Sequence, residues 1–271
     1  MTVTAPREVT NAPAEAAAVR LRSVMHTFGG RQPVEALSDV SLAVPEGAFV
    51  SVVGPSGCGK STLLRILAGL LIPSAGEALV GRESALGRPG LVGYMPQRDL
   101  LLPWRRVREN ATLGAELSGV PRSEARAAAE ALYERFGLAG FERAWPSQLS
   151  GGMRQRLALL RTFLMPRQTL LLDEPFGALD AITRREMHSW LQDVWRADGR
   201  TVLLVTHDID EALSLSDVVY VMSPRPGRIV REIPVPLARP RTTRDLTSPK
   251  FVALKADVLA ALEKDRPSFP P

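Results

Sequence analysis

Phe49-Val50-Ser51-Val52-Val53 runs straight into Gly54-Pro55-Ser56-Gly57-Cys58-Gly59-Lys60-Ser61-Thr62, and this junction decides the fold. The first five residues read as a compact apolar strand. The spacing of Leu63, Leu64, Leu67 and Leu70 then predicts a helix that stops near Pro73. Between the two, Gly54 and Gly59 bracket four residues and Lys60-Ser61 follow, the pattern of a phosphate-binding loop. The chemistry requires these residue types. Glycines let backbone N–H groups curl around a polyphosphate, and the helix presents its positive end to it. A lysine there adds a compact charge for the outer phosphates, and the next hydroxyl is a ligand for Mg²⁺.

Strands and helices alternate on both sides of this junction. Val19 to Met25 and Val40 to Val44 read as strands, the second entering a turn at Pro45-Glu46-Gly47. Ala78 to Val80 and Leu91 to Met95 follow. From about Leu100 to Leu149 the character changes to Ala, Glu, Arg and Leu at helical spacing, which predicts an inserted helical subdomain over about 98–158. Strands return at Thr169 to Leu172, Thr201 to Val205, Val218 to Met222 and Arg228 to Ile233. This order argues for an α/β fold with a largely parallel sheet. Residues 1–18 are small, polar and Pro-broken, and read as a mobile leader ahead of one cassette over 19–233. The tail, 234–271, is Pro- and Arg-rich and ends in an amphipathic helix. Ser248 caps that helix, Pro249 sits in its first turn, and Phe251, Val252, Leu254, Val258, Leu259 and Leu262 share one side. No internal repeat is present, so the chain holds one such unit.

Leu170-Leu171-Leu172-Asp173-Glu174-Pro175 is a buried strand that delivers two acids at its carboxyl end, where open parallel sheets bind ligands. Asp173 suits the water shell of Mg²⁺, and Glu174 is placed to polarise an attacking water. Two adjacent acids alone could simply cap a helix; downstream of a phosphate loop they make a hydrolytic site. Leu149-Ser150-Gly151-Gly152-Met153-Arg154-Gln155-Arg156 is a Ser-Gly-Gly turn opening a helix, again an anion-binding end.

With these residues the chain resembles the ATP-binding cassette (ABC) family, whose Leu-Ser-Gly-Gly-Gln segment it matches except for Met153 in place of Gln. The resemblance runs from about Val19 to Ile233. It implies a P-loop NTPase cassette: a RecA-like, mostly parallel core, an antiparallel β part and an inserted helical subdomain. It implies ATP and Mg²⁺ as ligands, with Gly54, Pro55, Ser56, Gly57, Cys58, Gly59, Lys60, Ser61 and Thr62 around the phosphates. Gln97, in Tyr94-Met95-Pro96-Gln97, resembles the glutamine that senses Mg²⁺ and links core to helical subdomain. Phe28 resembles the aromatic that stacks on adenine, although a lone Phe before a glycine pair also reads as a core residue. Gly177-Ala178-Leu179-Asp180 matches the loop through which two cassettes communicate, and His207 matches the switch histidine at the γ-phosphate. Glu174, His207 and Lys60 would carry catalysis. The family's split site implies that Ser150, Gly151 and Gly152 reach ATP bound to a second copy of the chain. Integral-membrane permease subunits would feel that pairing through the helical subdomain.

Two local segments resemble importers of the nitrate, sulfonate and taurine group. One is Leu101-Leu102-Pro103-Trp104-Arg105-Arg106-Val107-Arg108-Glu109-Asn110; the other is Ser223-Pro224-Arg225-Pro226-Gly227-Arg228-Ile229, together with Arg239 to Arg241. In such importers an extracytoplasmic solute-binding protein and the permease choose the cargo. Prosaic readings stand beside these: Trp104 packing the helical subdomain, and the Pro-rich turn merely ending a strand. An exporter subunit is the competing transport reading. DNA-repair relatives carry a long coiled coil between the phosphate loop and the Ser-Gly-Gly helix, where this gap is under a hundred residues, and ribosome-acting relatives carry two cassettes.

Composition narrows the setting. One cysteine excludes an internal disulfide. No run approaches the ~18 apolar residues of a spanning helix; the longest, Leu63 to Ile72, carries Arg65. The net charge of +5 comes from scattered arginines, with no interleaved aromatic stripe, so nucleic acid is not an expected partner. The expected location is the cytoplasmic face of a membrane. Cys58 lies at a helix N-terminus, which predicts a lowered thiol pKa and leaves two readings, redox sensor or small filler.

Overall fold

The computed structural model describes residues 17–242 and 244–264. Residues 1–16, most of the expected leader, lie outside that range. Ala17 and Ala18 belong instead to the first strand. Two sheets form the frame. The antiparallel one has the order β2-β1-β4-β5, made of β1 (Ala17–Phe28), β2 (Val34–Pro45), β4 (Ala75–Val80) and β5 (Glu83–Ser84). The second has the order β10-β9-β3-β8-β7-β6. Its strands are β3 (Phe49–Val53), β6 (Gly93–Met95), β7 (Thr169–Asp173), β8 (Thr201–Thr206), β9 (Val218–Met222) and β10 (Ile229–Pro234). All neighbours in it are parallel except β9 and β10.

The apolar runs of the parallel strands have their cause in this layering. Leu171, Leu203 and Val205 face one core, with α1 (Lys60–Leu67) and the antiparallel sheet. Leu170, Leu172, Val202 and Leu204 face a second core, under α2 (Val107–Leu117), α3 (Arg122–Tyr133), α4 (Gly151–Phe163) and α5 (Ala181–Asp198). Side chains alternate across a strand, so a strand covered on both faces is apolar throughout. A third core gathers α6 (Ile209–Leu215), β9, β10 and α7 (Pro249–Lys264).

Several boundaries differ from the sequence reading. β1 and β2 extend well beyond Val19–Met25 and Val40–Val44. Ser23 and Asp39 take left-handed backbone (φ +46° and +52°) and the pairing shifts register repeatedly, so the apolar alternation is broken outside the middle. The helix after the phosphate loop ends at Leu67, because Gly69 turns the chain at φ +74°. The helix in which the expected insert ends, α4, runs on to Phe163.

Asn110 organises the segment before α2. Its side chain accepts from Leu102 N (2.8 Å) and donates to the carbonyls of Leu102 and Arg105 (3.1 and 2.8 Å). Trp104, at the apex of that loop, is 70 % exposed, so it does not pack the helical subdomain.

The described part of the tail packs onto the body. Arg241 is buried and donates to the carbonyls of Leu213, Ser216, Val235 and Leu237. Gln192 of α5 pairs with both backbone groups of Arg241. Ser248 Oγ accepts from Phe251 N at 3.3 Å, as its capping position predicts. Phe251 and Val258 of α7 are buried, but Val252 and Leu259 are exposed, so the inward face is narrower than the periodicity suggests.

Candidate functional site

Strand register brings the chemistry together. Val53 pairs with Thr206, Asp173 with Val205 and Met95 with Leu172, so β3, β8, β7 and β6 end side by side. The phosphate loop, His207, Asp173-Glu174 and Gln97 leave from those ends. The loop, Gln97 and Glu174 open on a cavity of about 310 Å³, lined by Phe28, Val34 and Ala36, by Ser56 to Thr62 apart from Cys58, and by Gln97, Glu174 and Arg225. Asp173 lies outside that lining, and His207 lines a smaller neighbouring pocket that shares Glu174 with it.

Within the loop, Gly57 and Gly59 take φ +78° and +107°, a region that favours glycine. A Cβ on Gly59 would also lie 2.8 Å from Ala36 O. The chain therefore passes close over β2 in a tight curl that glycines permit. Lys60 is buried, its Nζ donating to the carbonyls of Gly54 (2.7 Å) and Pro55 (3.0 Å). Ser61 Oγ donates to Asp173 Oδ1 at 3.1 Å. Burial pushes the Asp173 carboxyl above its ordinary value, against the hydrogen bond from Ser61. A hydroxyl beside one carboxylate, all oxygen and next to a phosphate cradle, fits Mg²⁺, which keeps waters and phosphate oxygens as its other ligands.

Cys58 departs from expectation. Its side chain lies in the core beneath the loop, away from the cavity. Burial pushes its thiol up, more than nearby Lys60 pulls it down. The expected lowered pKa is thus reversed, and the redox reading goes with it.

Glu174 stands between two partners. Gln97 Nε2 donates to its Oε2 (3.1 Å), and His207 Nδ1 lies 3.2 Å from its Oε1. Its backbone is left-handed at φ +49°, a strained state for a non-glycine residue. Val205 O accepts from Glu174 N (2.9 Å), and Gln155 Nε2 donates to Glu174 O (2.8 Å). Gln155 also accepts from Ala178 N at 2.7 Å. Sequence reasoning passed over this residue. Its one signal is a polar side chain on the same helical stretch as Leu157 to Leu160, where it is buried. Phe28 is 39 % exposed at the cavity and meets His26 edge to face, so it is not a core residue.

Not every expected site residue joins this cavity. Ser150 caps α4, accepting from Met153 N at 3.2 Å, and neither it nor Gly151 and Gly152 lines the cavity. Asp180 caps α5 through Ile182 N and Thr183 N, also outside it. Gly54 and Pro55 contribute carbonyls to Lys60 rather than lining.

A family profile described as ABC transporter matches residues 37–177. The chain belongs to the ABC transporter family. It is 42 % identical over 236 residues to the taurine import ATP-binding protein TauB of Yersinia pestis, covering 85 % of this chain and 92 % of that one. It is 46 % identical over 251 residues to the aliphatic sulfonates import ATP-binding protein SsuB 2 of Pseudomonas aeruginosa, covering 93 % and 86 %. Among solved structures, the dimeric bacterial ABC transporter cassette MJ0796 superposes with TM-score 0.74 at 31 % identity, over 80 % of this chain and 98 % of that one. The same cassette is known in a post-hydrolysis state bound to ADP and Pi, with the same TM-score. The α/β cassette with parallel core and antiparallel sheet is therefore the family's, and the chain is an ABC ATPase. No helix among the described residues is long and apolar enough to cross a membrane.

Behind His207 lies a buried acid. Glu211 accepts from Thr206 Oγ1 (2.9 Å), while its Oε1 has no partner among the described residues. Burial raises its pKa to about 8, opposed by the Thr206 hydrogen bond and by Arg184, and reinforced by Asp208 and Glu174. Between the unfolded value near 4.5 and 8 the folded protein binds the extra proton, so this group's stabilising contribution is lost as pH rises through that window. Glu211→Gln, which mimics the neutral acid, is expected to raise the unfolding midpoint at pH 8 and to leave it unchanged at pH 4; thermal melts at both values check this.

Proposed function

We propose that this chain is the ATP-hydrolysing, energy-coupling subunit of an ABC importer for taurine, a sulfonate, nitrate or a similar small solute. The observation that carries the ATPase mechanism is the Glu174 carboxylate, held between Gln97 and His207 over the phosphate loop. The importer relatives TauB and SsuB 2 support the transport class.

On this reading, Phe28 stacks on adenine and the backbone of Ser56 to Thr62 cradles the phosphates. Lys60 swings from its carbonyls to the outer phosphates. Ser61 and Asp173, with Gln97 nearby, would hold Mg²⁺, whose charge would offset that of the phosphate oxygens. Glu174 takes a proton from the attacking water, and His207 positions Glu174 and the terminal phosphate. Ser150, Gly151 and Gly152, turned away from their own chain's cavity, complete the site of a second copy, and Asp180 lies in the loop between the two. The dimeric cassette MJ0796 supports such a pair. The helical insert over about 98–158, with exposed Trp104, passes the opening and closing to permease subunits at the cytoplasmic face of the membrane; an extracytoplasmic binding protein supplies the solute.

A strain lacking this chain is expected to grow on sulfate but not on taurine or an alkanesulfonate as sole sulfur source. Equal growth on all three would sink the sulfonate reading. Restoration by the native chain but not by Lys60→Ala ties the phenotype to ATP.

A further inference from the structure

The turn between β9 and β10 is locked against the phosphate loop. Gly227 N donates to Ala36 O and Ser38 N donates to Gly227 O, both at 3.0 Å. A Cβ on Gly227 would overlap the carbonyl of Cys58, so the turn has no slack there. Ser223 Oγ closes the turn, accepting from Arg228 N at 3.0 Å. Prolines 224 and 226, with their restricted φ, flank Arg225.

This turn delivers a guanidinium to the cavity. Arg225 Nε donates to Gly57 O at 3.2 Å, and Nη2 lies 3.3 Å from where a Cβ on Gly57 would stand. Arg225 lines the cavity together with Ser56, Gly57, Lys60 and Ser61. Among the described residues no carboxylate lies within ion-pair distance of it. Its Nη groups make no hydrogen bond there, although a guanidinium carries five N–H donors in a fork matched to phosphate. A charge without a counter-ion, on a rigid turn at the lip of a polyphosphate cradle, is placed for an anionic ligand rather than for structure.

We propose that Arg225 is a nucleotide-binding residue whose guanidinium takes the polyphosphate of ATP held in its own chain, approaching from outside the loop. The inference rests on the ATP reading above. It also gives the Ser223-to-Ile229 segment a task beyond ending a strand.

The test is ATP affinity of the full chain, with Mg²⁺, for the native protein, Arg225→Gln, Arg225→Lys and Lys60→Ala. Arg225→Gln is expected to weaken ATP roughly tenfold, and Arg225→Lys less, since charge without the fork is kept. The unfolding midpoint without nucleotide should stay put in both, while its rise on adding ATP shrinks. Affinity within about twofold of native for Arg225→Gln overturns the proposal, as does equal weakening by Gln and Lys, which would trace the loss to the turn. Unchanged affinity with loss of ATP-driven dimerisation in a Glu174→Gln background also overturns it, assigning Arg225 to the second copy. If the native chain and Lys60→Ala both fail to bind ATP, the ATP reading itself falls.

Discussion

Glu174→Gln is expected to abolish steady-state ATP turnover while leaving nucleotide binding intact, and to convert the chain into an ATP-dependent dimer. A positioned general base contributes about 10²- to 10⁴-fold, and here the carboxylate is aimed by Gln97 and His207. Gln keeps the shape and can still meet both neighbours, but it cannot take a proton from water. Two ATP molecules would then stay uncleaved between the copies and hold them together. Phosphate release and size-exclusion chromatography with and without MgATP read both effects. Native turnover in the variant would remove Glu174 from the mechanism, and a monomer with bound ATP would remove the two-copy sandwich.

The second large effect falls far from the cavity. Arg241→Leu is expected to cost about 3–5 kcal/mol, because it strips partners from several buried carbonyls at once. The four acceptors belong to α6, the residue after it, and the stretch that follows β10. A drop in the unfolding midpoint on the order of 10 °C follows for a domain of this size. Arg241→Lys should recover only part, since one ammonium cannot reach acceptors spread across a planar fork. A melt within about a degree of native would show that water replaces the guanidinium there.

The phosphate loop, the two acids and the Ser-Gly-Gly turn were legible in the sequence because their chemistry leaves little choice of residue at fixed local spacing. The parallel core was legible for a related reason. Strands covered on both faces read as unbroken apolar runs such as Leu170 to Leu172. What stayed hidden depends on residues distant in the chain. Gln155 is one polar position on a helix until the fold brings Glu174 O and Ala178 N to it. Arg239 and Arg241 read as a basic tail until carbonyls from α6 and Asp217 close around them. Cys58 shows why local rules mislead: its place at a helix N-terminus beside Lys60 favours the thiolate, yet burial outweighs that pull. The bulged β1–β2 hairpin hid its own ends, because left-handed Ser23 and Asp39 reset the side-chain alternation.

Gln155 carries one more consequence. Its helix begins with the residues assigned to the neighbour's nucleotide, and its amide grips the backbone that aims this chain's own carboxylate. On the proposed two-copy reading, a shift of that helix when the neighbour fills would tug on local catalysis within a single side chain's length. The two halves of a pair would keep time with each other: turnover rising more steeply than nucleotide occupancy, and a mixed pair with one silenced half running at well below half speed.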